Sequence, residues 1–153
     1  MRNYYFTSMF LCSCAIMPHK YTAGEPIKED MVKMIQPGKT TKEEIIQWFG
    51  IPSVIAKKGE KMSLPTELVS MSVAGEIGRQ EVSSDTFFNL FSTKHKLTES
   101  HRIYYYTYTK SKGTTFAMPY FGYTGGKALT DKLLVLINED TGIVEDYIFR
   151  KQK

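Results

Sequence analysis

Two cysteines with one residue between them, Cys12 and Cys14, are the only ones in this 153-residue chain. They stand too close together for a structural disulfide, and no later cysteine can pair with either. Their setting is Leu11-Cys12-Ser13-Cys14, behind Arg2 and an apolar stretch over residues 4–11, which has the form of a bacterial lipobox. Cleavage before Cys14 would leave its thiol to carry diacylglycerol and its amine to be acylated. Several acyl chains anchor stably, because each buried methylene contributes roughly 0.8 kcal/mol. Ala15 rather than an acidic residue follows the cysteine, which fits export to the periplasmic face of the outer membrane.

The three histidines are His19, His95 and His101. His95 and His101 flank Glu99 and could meet at a metal, as a metal-dependent hydrolase would require; each is accounted for more simply as a satisfied or exposed side chain. There is no HExxH, and no Cys-x-x-Cys with matching downstream ligands, so neither a metal nor a cofactor is expected. The run from Gly122 through Gly125-Gly126-Lys127 echoes a phosphate loop. It lacks the G-x-x-x-x-G-K-[ST] spacing, and Ala128 stands where the hydroxyl should be. No G-x-S-x-G elbow holds a nucleophilic serine. The acidic pairs Glu29-Asp30, Glu43-Glu44 and Glu139-Asp140 fall at helix starts or turns, where capping and solvation explain them. The expectation is a protein that is not an enzyme.

The element with the most complete start and stop signals spans residues 41–49. Pro37-Gly38 makes a turn, Thr40 or Thr41 can cap, and Glu43 or Glu44 completes a capping box. Ile45, Ile46 and Phe49 form one apolar stripe; Gly50 can end the helix in the left-handed conformation and Pro52 stops its continuation. Pro26 can open an earlier helix over residues 27–35, with Ile27, Met31, Met34 and Ile35 at helical spacing. Neither helix is long enough to be stable alone. The surface they need is a sheet: a strand over residues 103–109 with Tyr104, Tyr106 and Tyr108 on one face, then a hairpin of residues 133–137 and 143–150 around Asn138-Glu139-Asp140-Thr141-Gly142. The predicted fold class is α+β, two short N-terminal helices on a three-stranded antiparallel sheet (α-α-β-β-β), with a partly helical insertion before the first strand.

The run Gly38-Lys39-Thr40-Thr41-Lys42-Glu43-Glu44-Ile45 through Phe49-Gly50-Ile51-Pro52, the Tyr-rich segment 102–108 and the terminal hairpin come in order and cover about half of the chain. Together they resemble the SmpA/OmlA (BamE-like) family of small outer-membrane lipoproteins. The resemblance implies a signal peptide over 1–13, lipidation at Cys14, a tether over 14–25 and a family domain over 26–153. It also implies a scaffold role in outer-membrane protein assembly or envelope integrity, with envelope proteins such as the β-barrel assembly machinery as partners. Residues 53–101 depart from the family, whose members pass quickly from Gly-x-Pro into the first strand. Breakers at Gly59, Pro65, Gly75 and Gly78 punctuate this insertion. Residues 64–71 suit a short helix or strand, and residues 85–91 a helix begun by Ser84 whose Phe87, Phe88, Leu90 and Phe91 must bury.

Composition bounds the remaining choices. With 42% hydrophobic and 24% charged residues the chain is an ordinary single globular domain, and no run reaches the roughly 20 apolar residues of a membrane-spanning helix. A formal charge of +4 on scattered basic residues gives little support to nucleic-acid binding and is compatible with an anionic membrane surface. Contact with a partner is assigned to Tyr104 and Tyr106 on the strand and to Phe116, Tyr120, Phe121 and Tyr123 in a glycine-rich loop over residues 112–127. The other reading of these residues is structural, the strand tyrosines as core and the loop aromatics as a cover for the sheet edge. An alternative function is that of an inhibitor-type binding module, because the expected α-α-β arrangement resembles β-lactamase inhibitor proteins.

Overall fold

The computed structural model describes residues 15–65, 79–118 and 121–152. Strand β1 (Ala15–Ala23) leads into helices α1 (Glu29–Met34) and α2 (Lys42–Phe49); β2 (Val54–Lys57), β3 (Lys61–Pro65), β4 (Arg79–Ser83) and α3 (Asp85–Phe88) follow. The chain closes with β5 (His101–Met118), β6 (Phe121–Asn138) and β7 (Ile143–Arg150). The main sheet is antiparallel and five-stranded in the order β1-β5-β6-β7, with β2 also paired to β5; β3 and β4 form a separate two-stranded sheet.

The three-stranded expectation is overturned. The protein is mostly antiparallel sheet with little helix, and its main sheet has five strands. Three segments account for the difference. Residues 14–25, expected as a polar tether, contain β1, whose register runs from Ala15 opposite Ala117 to Ala23 opposite Thr109. The glycine-rich 112–127 segment, expected as a loop, is strand: β5 and β6 pair from His101–Asn138 out to Met118–Phe121. At about 3.3 Å per residue these two 18-residue strands each reach roughly 60 Å. The insertion supplies the fifth strand, β2. The β1 and β2 pairings have no local signal, because a strand edge is satisfied by whatever distant backbone docks there, while the β5–β6 end is a local hairpin whose glycine content reads as loop.

The helical signals correspond closely to structure. Thr41 is the N-cap of α2 and its hydroxyl accepts from the Glu44 N–H, while the Glu44 carboxylate accepts from the Thr41 N–H at 2.8 Å. Gly50 ends the helix at φ +74°. Ile45 and Phe49 are buried; Ile46 is exposed. In α1 the buried position is Val32, flanked by buried Ile27 and Ile35, and Met34 is exposed. The link between the helices docks on β7: the Gly38 N–H donates to the Val144 carbonyl and the Val144 N–H to the Thr40 carbonyl.

Both faces of the sheet are covered. On one, α1 and α2 press Ile27, Val32, Ile35, Ile45 and Phe49 onto Tyr104, Tyr106, Leu133, Val135, Ile137 and Val144. On the other, Phe88 and Phe91 from the insertion, with Ala56 of β2, cover Ile103, Tyr105, Leu134 and Leu136. Burial on both sides explains why residues 133–137 are continuously apolar instead of alternating. Ser84 precedes α3 without capping it, and its buried hydroxyl has no hydrogen-bond partner among the described residues.

Candidate functional site

The register of β7 shifts between its pairings with Leu136 and Ile137, so Val144 opposes Ile137, Asp146 opposes Leu136, and Glu145 is the extra residue. Such a bulge re-aims side chains. Here two consecutive carboxylates come within reach of one imidazole: His95 Nε2 lies 3.3 Å from Asp146 Oδ2, and His95 Nδ1 lies 3.9 Å from Glu145 Oε2. His101, on β5 and buried, stands beside them with Nε2 at 2.9 Å from Glu145 Oε2. The Thr98 N–H donates to His101 Nδ1 at 3.0 Å, which assigns the ring proton to Nε2 and makes Glu145 the acceptor. The Glu145 Oε1 accepts from Asn138 Nδ2 at 3.1 Å. Partial burial pushes the Glu145 carboxyl up, but the Asn138 and His101 hydrogen bonds and the nearby imidazoles outweigh it and hold the group below the usual carboxylate range.

Sequence reasoning paired His95 and His101 with Glu99, and the structure pairs them with Glu145 instead. Glu99 lines a wide polar cleft of about 520 Å³ with Lys57, Lys58, Gly59, Glu60, Asp85 and Arg102. Glu145 lies 44 residues from His101, and only the bulge brings the two together, so no spacing rule identifies it. Both His101 ring nitrogens are committed to hydrogen bonds, and among the described residues no group of three or more His, Cys, Asp or Glu is arranged to hold a metal ion.

Tyr104 and Tyr106, assigned above to partner contact or core, are buried beneath the helices. The Tyr104 hydroxyl donates to Glu139 Oε1 at 2.9 Å, and Lys42 Nζ reaches Glu139 Oε2 at 2.6 Å. This network ties α2 to β5 and to the β6–β7 turn. Partial burial raises the Glu139 carboxyl, while hydrogen bonds from Lys42 and Tyr104 bring it net below its ordinary range; the bond to Glu139 raises Lys42. Tyr106 packs on the Phe49 ring at 5.7 Å, and burial drives its hydroxyl far above the usual range. Cys14 and Tyr120 lie outside the described residues. Phe116, Phe121 and Tyr123 lie on the described backbone of β5 and β6 near the hairpin end, and their side chains are outside what is described.

Beyond the covered core, β1 and the outer parts of β5 and β6 continue as a three-stranded ribbon. β7 pairs with β6 only over residues 132–138, so among the described residues no strand pairs with the outer edge of β1 or with the outer edge of β6 over 121–131. Ile16, Met17, Tyr21 and Leu129 are exposed along this ribbon. Its glycines permit close approach: a Cβ on Gly113 would sit 2.5 Å from His19 Nε2, and one on Gly126 would sit 2.8 Å from the Lys112 carbonyl. Where β1 leaves the sheet and β2 enters it, a cleft of about 210 Å³ opens between Glu25, Ile27, Phe49, Ile51 and Thr107. Among the described residues no helix is long and apolar enough to cross a membrane. Comparison with family models, with curated proteins and with solved structures finds no match for this chain.

Proposed function

We propose that this protein is a lipid-anchored interaction module of the cell envelope, held at the periplasmic face of the outer membrane through Cys14 and binding another envelope protein through the ribbon. The observation that carries the reading is the ribbon itself, whose outer edges lack a strand partner among the described residues and whose Ile16, Met17, Tyr21 and Leu129 are exposed. Unpaired edge backbone accepts an extended segment of a partner by strand addition, and flanking apolar side chains add contact area. Ala15 opposite Ala117 places the residue after Cys14 at the far end of the ribbon, so an acyl anchor there would hold the ribbon near the bilayer. Tethering raises the local concentration of a docking surface and strengthens weak contacts without new ones. The lipobox and the SmpA/OmlA resemblance make the β-barrel assembly machinery the first partner to test.

The experiment is crosslinking and affinity co-purification of the tagged full-length protein from its own membranes, beside Cys14→Ala. Recovery of envelope proteins with the wild type and their loss with Cys14→Ala supports the reading. Recovery of both forms in the soluble fraction without envelope partners overturns it.

A further inference from the structure

The formal excess of the chain is four positive charges, and its outer ribbon, residues 15–23, 109–118 and 121–130, contains four lysines and no aspartate or glutamate. The remainder of the chain is therefore formally balanced. All four lysines fall on one face. Lys20 is the register partner of Lys112, and Lys112 of Lys127, which sets three ammonium-bearing positions in a row across three strands. Lys110 lies two residues along β5 from Lys112 and thus on the same face. Neighbouring strands are about 4.8 Å apart, so the row packs like charges at cross-strand distance, an arrangement unfavourable for folding in itself. All four lysines are exposed, as are Ile16, Pro18, Thr22 and Thr114 on that face, and none of the four forms an ion pair among the described residues.

We infer that this lysine face docks on an anionic lipid surface. The composition favours that occupant over the two others that attract cations. Nucleic-acid sites use arginine forks and stacking aromatics. This ribbon has no arginine, so the bidentate forks that read bases and grip phosphates are missing from it. Protein interfaces enrich arginine and deplete lysine. A bilayer requires no fixed geometry, only clustered cations with apolar side chains beside them, which Ile16 and Leu129 supply on the lysine face. The inference goes beyond the protein-docking reading, which uses the ribbon's edges, and it does not depend on acylation.

The test is vesicle co-sedimentation of full-length protein carrying Cys14→Ala, so that no acyl chain contributes. Phosphatidylcholine vesicles are compared with vesicles containing about one third phosphatidylglycerol. Each lysine near such a surface is worth about fivefold in affinity, so K20Q/K112Q/K127Q is expected to lose about a hundredfold on the anionic vesicles. A control triple elsewhere on the surface, K33Q/K39Q/K58Q, removes the same charge and is expected to lose much less. The ribbon triple relieves like-charge repulsion, so its thermal midpoint is expected to equal or exceed that of the parent, which separates lost docking from lost folding. Equal losses for the two triples overturn the inference, as does equal binding to neutral and anionic vesicles. Tighter binding to a single-stranded RNA or to polyglutamate than to the vesicles, abolished by the ribbon triple, also overturns it in favour of that partner.

Discussion

His101 and Glu145 form the residue pair whose loss should be felt most directly. His101 accepts from the Thr98 N–H and donates to a carboxylate, so His101→Ala takes the ring acceptor from the Thr98 N–H and leaves Glu145 with Asn138 as its remaining hydrogen-bond donor. Losing one hydrogen bond to a charged group and the packing of a buried ring costs about 1–3 kcal/mol in all, and a fall of that order is expected in the free energy of urea unfolding, with the folded circular dichroism spectrum retained. The pH dependence follows from the carboxylates. Glu139 and Glu145 both sit below the usual range in the folded state, so their contribution is present above the unfolded value of about 4.3 and is lost as pH falls through the folded values. Glu145→Gln should flatten the acid limb of a stability-versus-pH curve; an unchanged limb would dismiss the assignment. At the other end, burial raises Tyr105 and Tyr106, so folding stability should decline as pH rises above about 10, where the unfolded phenols ionise. Tyr106→Phe removes one such group and gives up only a 3.4 Å hydrogen bond to the Gly50 carbonyl. It should therefore be close to neutral at pH 7 and shallower in alkali.

Among the elements, α2 depends on its termini. The reciprocal Thr41–Glu44 bonds satisfy N–H groups that an eight-residue helix cannot satisfy internally, and Thr41→Ala is expected to cost about 1 kcal/mol in chemical denaturation. A harsher case is the point where β1 leaves the sheet. Gly24 has φ +78°, and a Cβ there would lie 2.1 Å from the Thr107 carbonyl oxygen, which is backbone and cannot rotate away. Gly24→Ala must displace β1 or the start of α1. A loss of several kcal/mol is expected, well above the roughly 1 kcal/mol of left-handed strain alone, and a thermal melt reads it directly. The β7 bulge is of the same class: one extra residue decides whether Glu145 reaches His101 at all.

At the scale of the whole molecule, β5 and β6 run through two unlike environments. Their inner parts lie between two apolar layers, and among the described residues their outer parts have unpaired edges and little covering them. Amide hydrogen exchange should divide accordingly. Residues 103–106 and 133–137 should exchange only through global unfolding, while β1 and residues 110–115 should exchange orders of magnitude faster through local opening. Uniform protection along both strands would mean that the ribbon is as tightly integrated as the core. An anionic vesicle should raise protection in the outer part alone if the lysine face lies against it.

Features set by near neighbours in the chain are legible without the fold. The capping box, the Gly50 stop, the Asn138–Gly142 turn and the final strand are each encoded within a few residues, because side-chain caps and positive-φ positions act locally. Of Phe87, Phe88, Leu90 and Phe91, all expected to bury from hydrophobicity, Phe88 and Phe91 are buried, Phe87 is partly buried and Leu90 is exposed, and hydrophobicity did not say what they would cover. Tertiary structure decided the rest. Whether residues 15–23 are tether or strand and which carboxylate faces His101 turn on partners 44–102 residues away in sequence, and the glycine-rich run, which folds on itself as a hairpin of partners 3–15 residues apart, is also held by β1 from the far end of the chain. The physical reason is that backbone hydrogen-bonding capacity is nearly the same at every residue, so which strand docks on an edge, and which side chain a bulge then aims, is selected by the edge and the space available to it, and local composition carries little of that information.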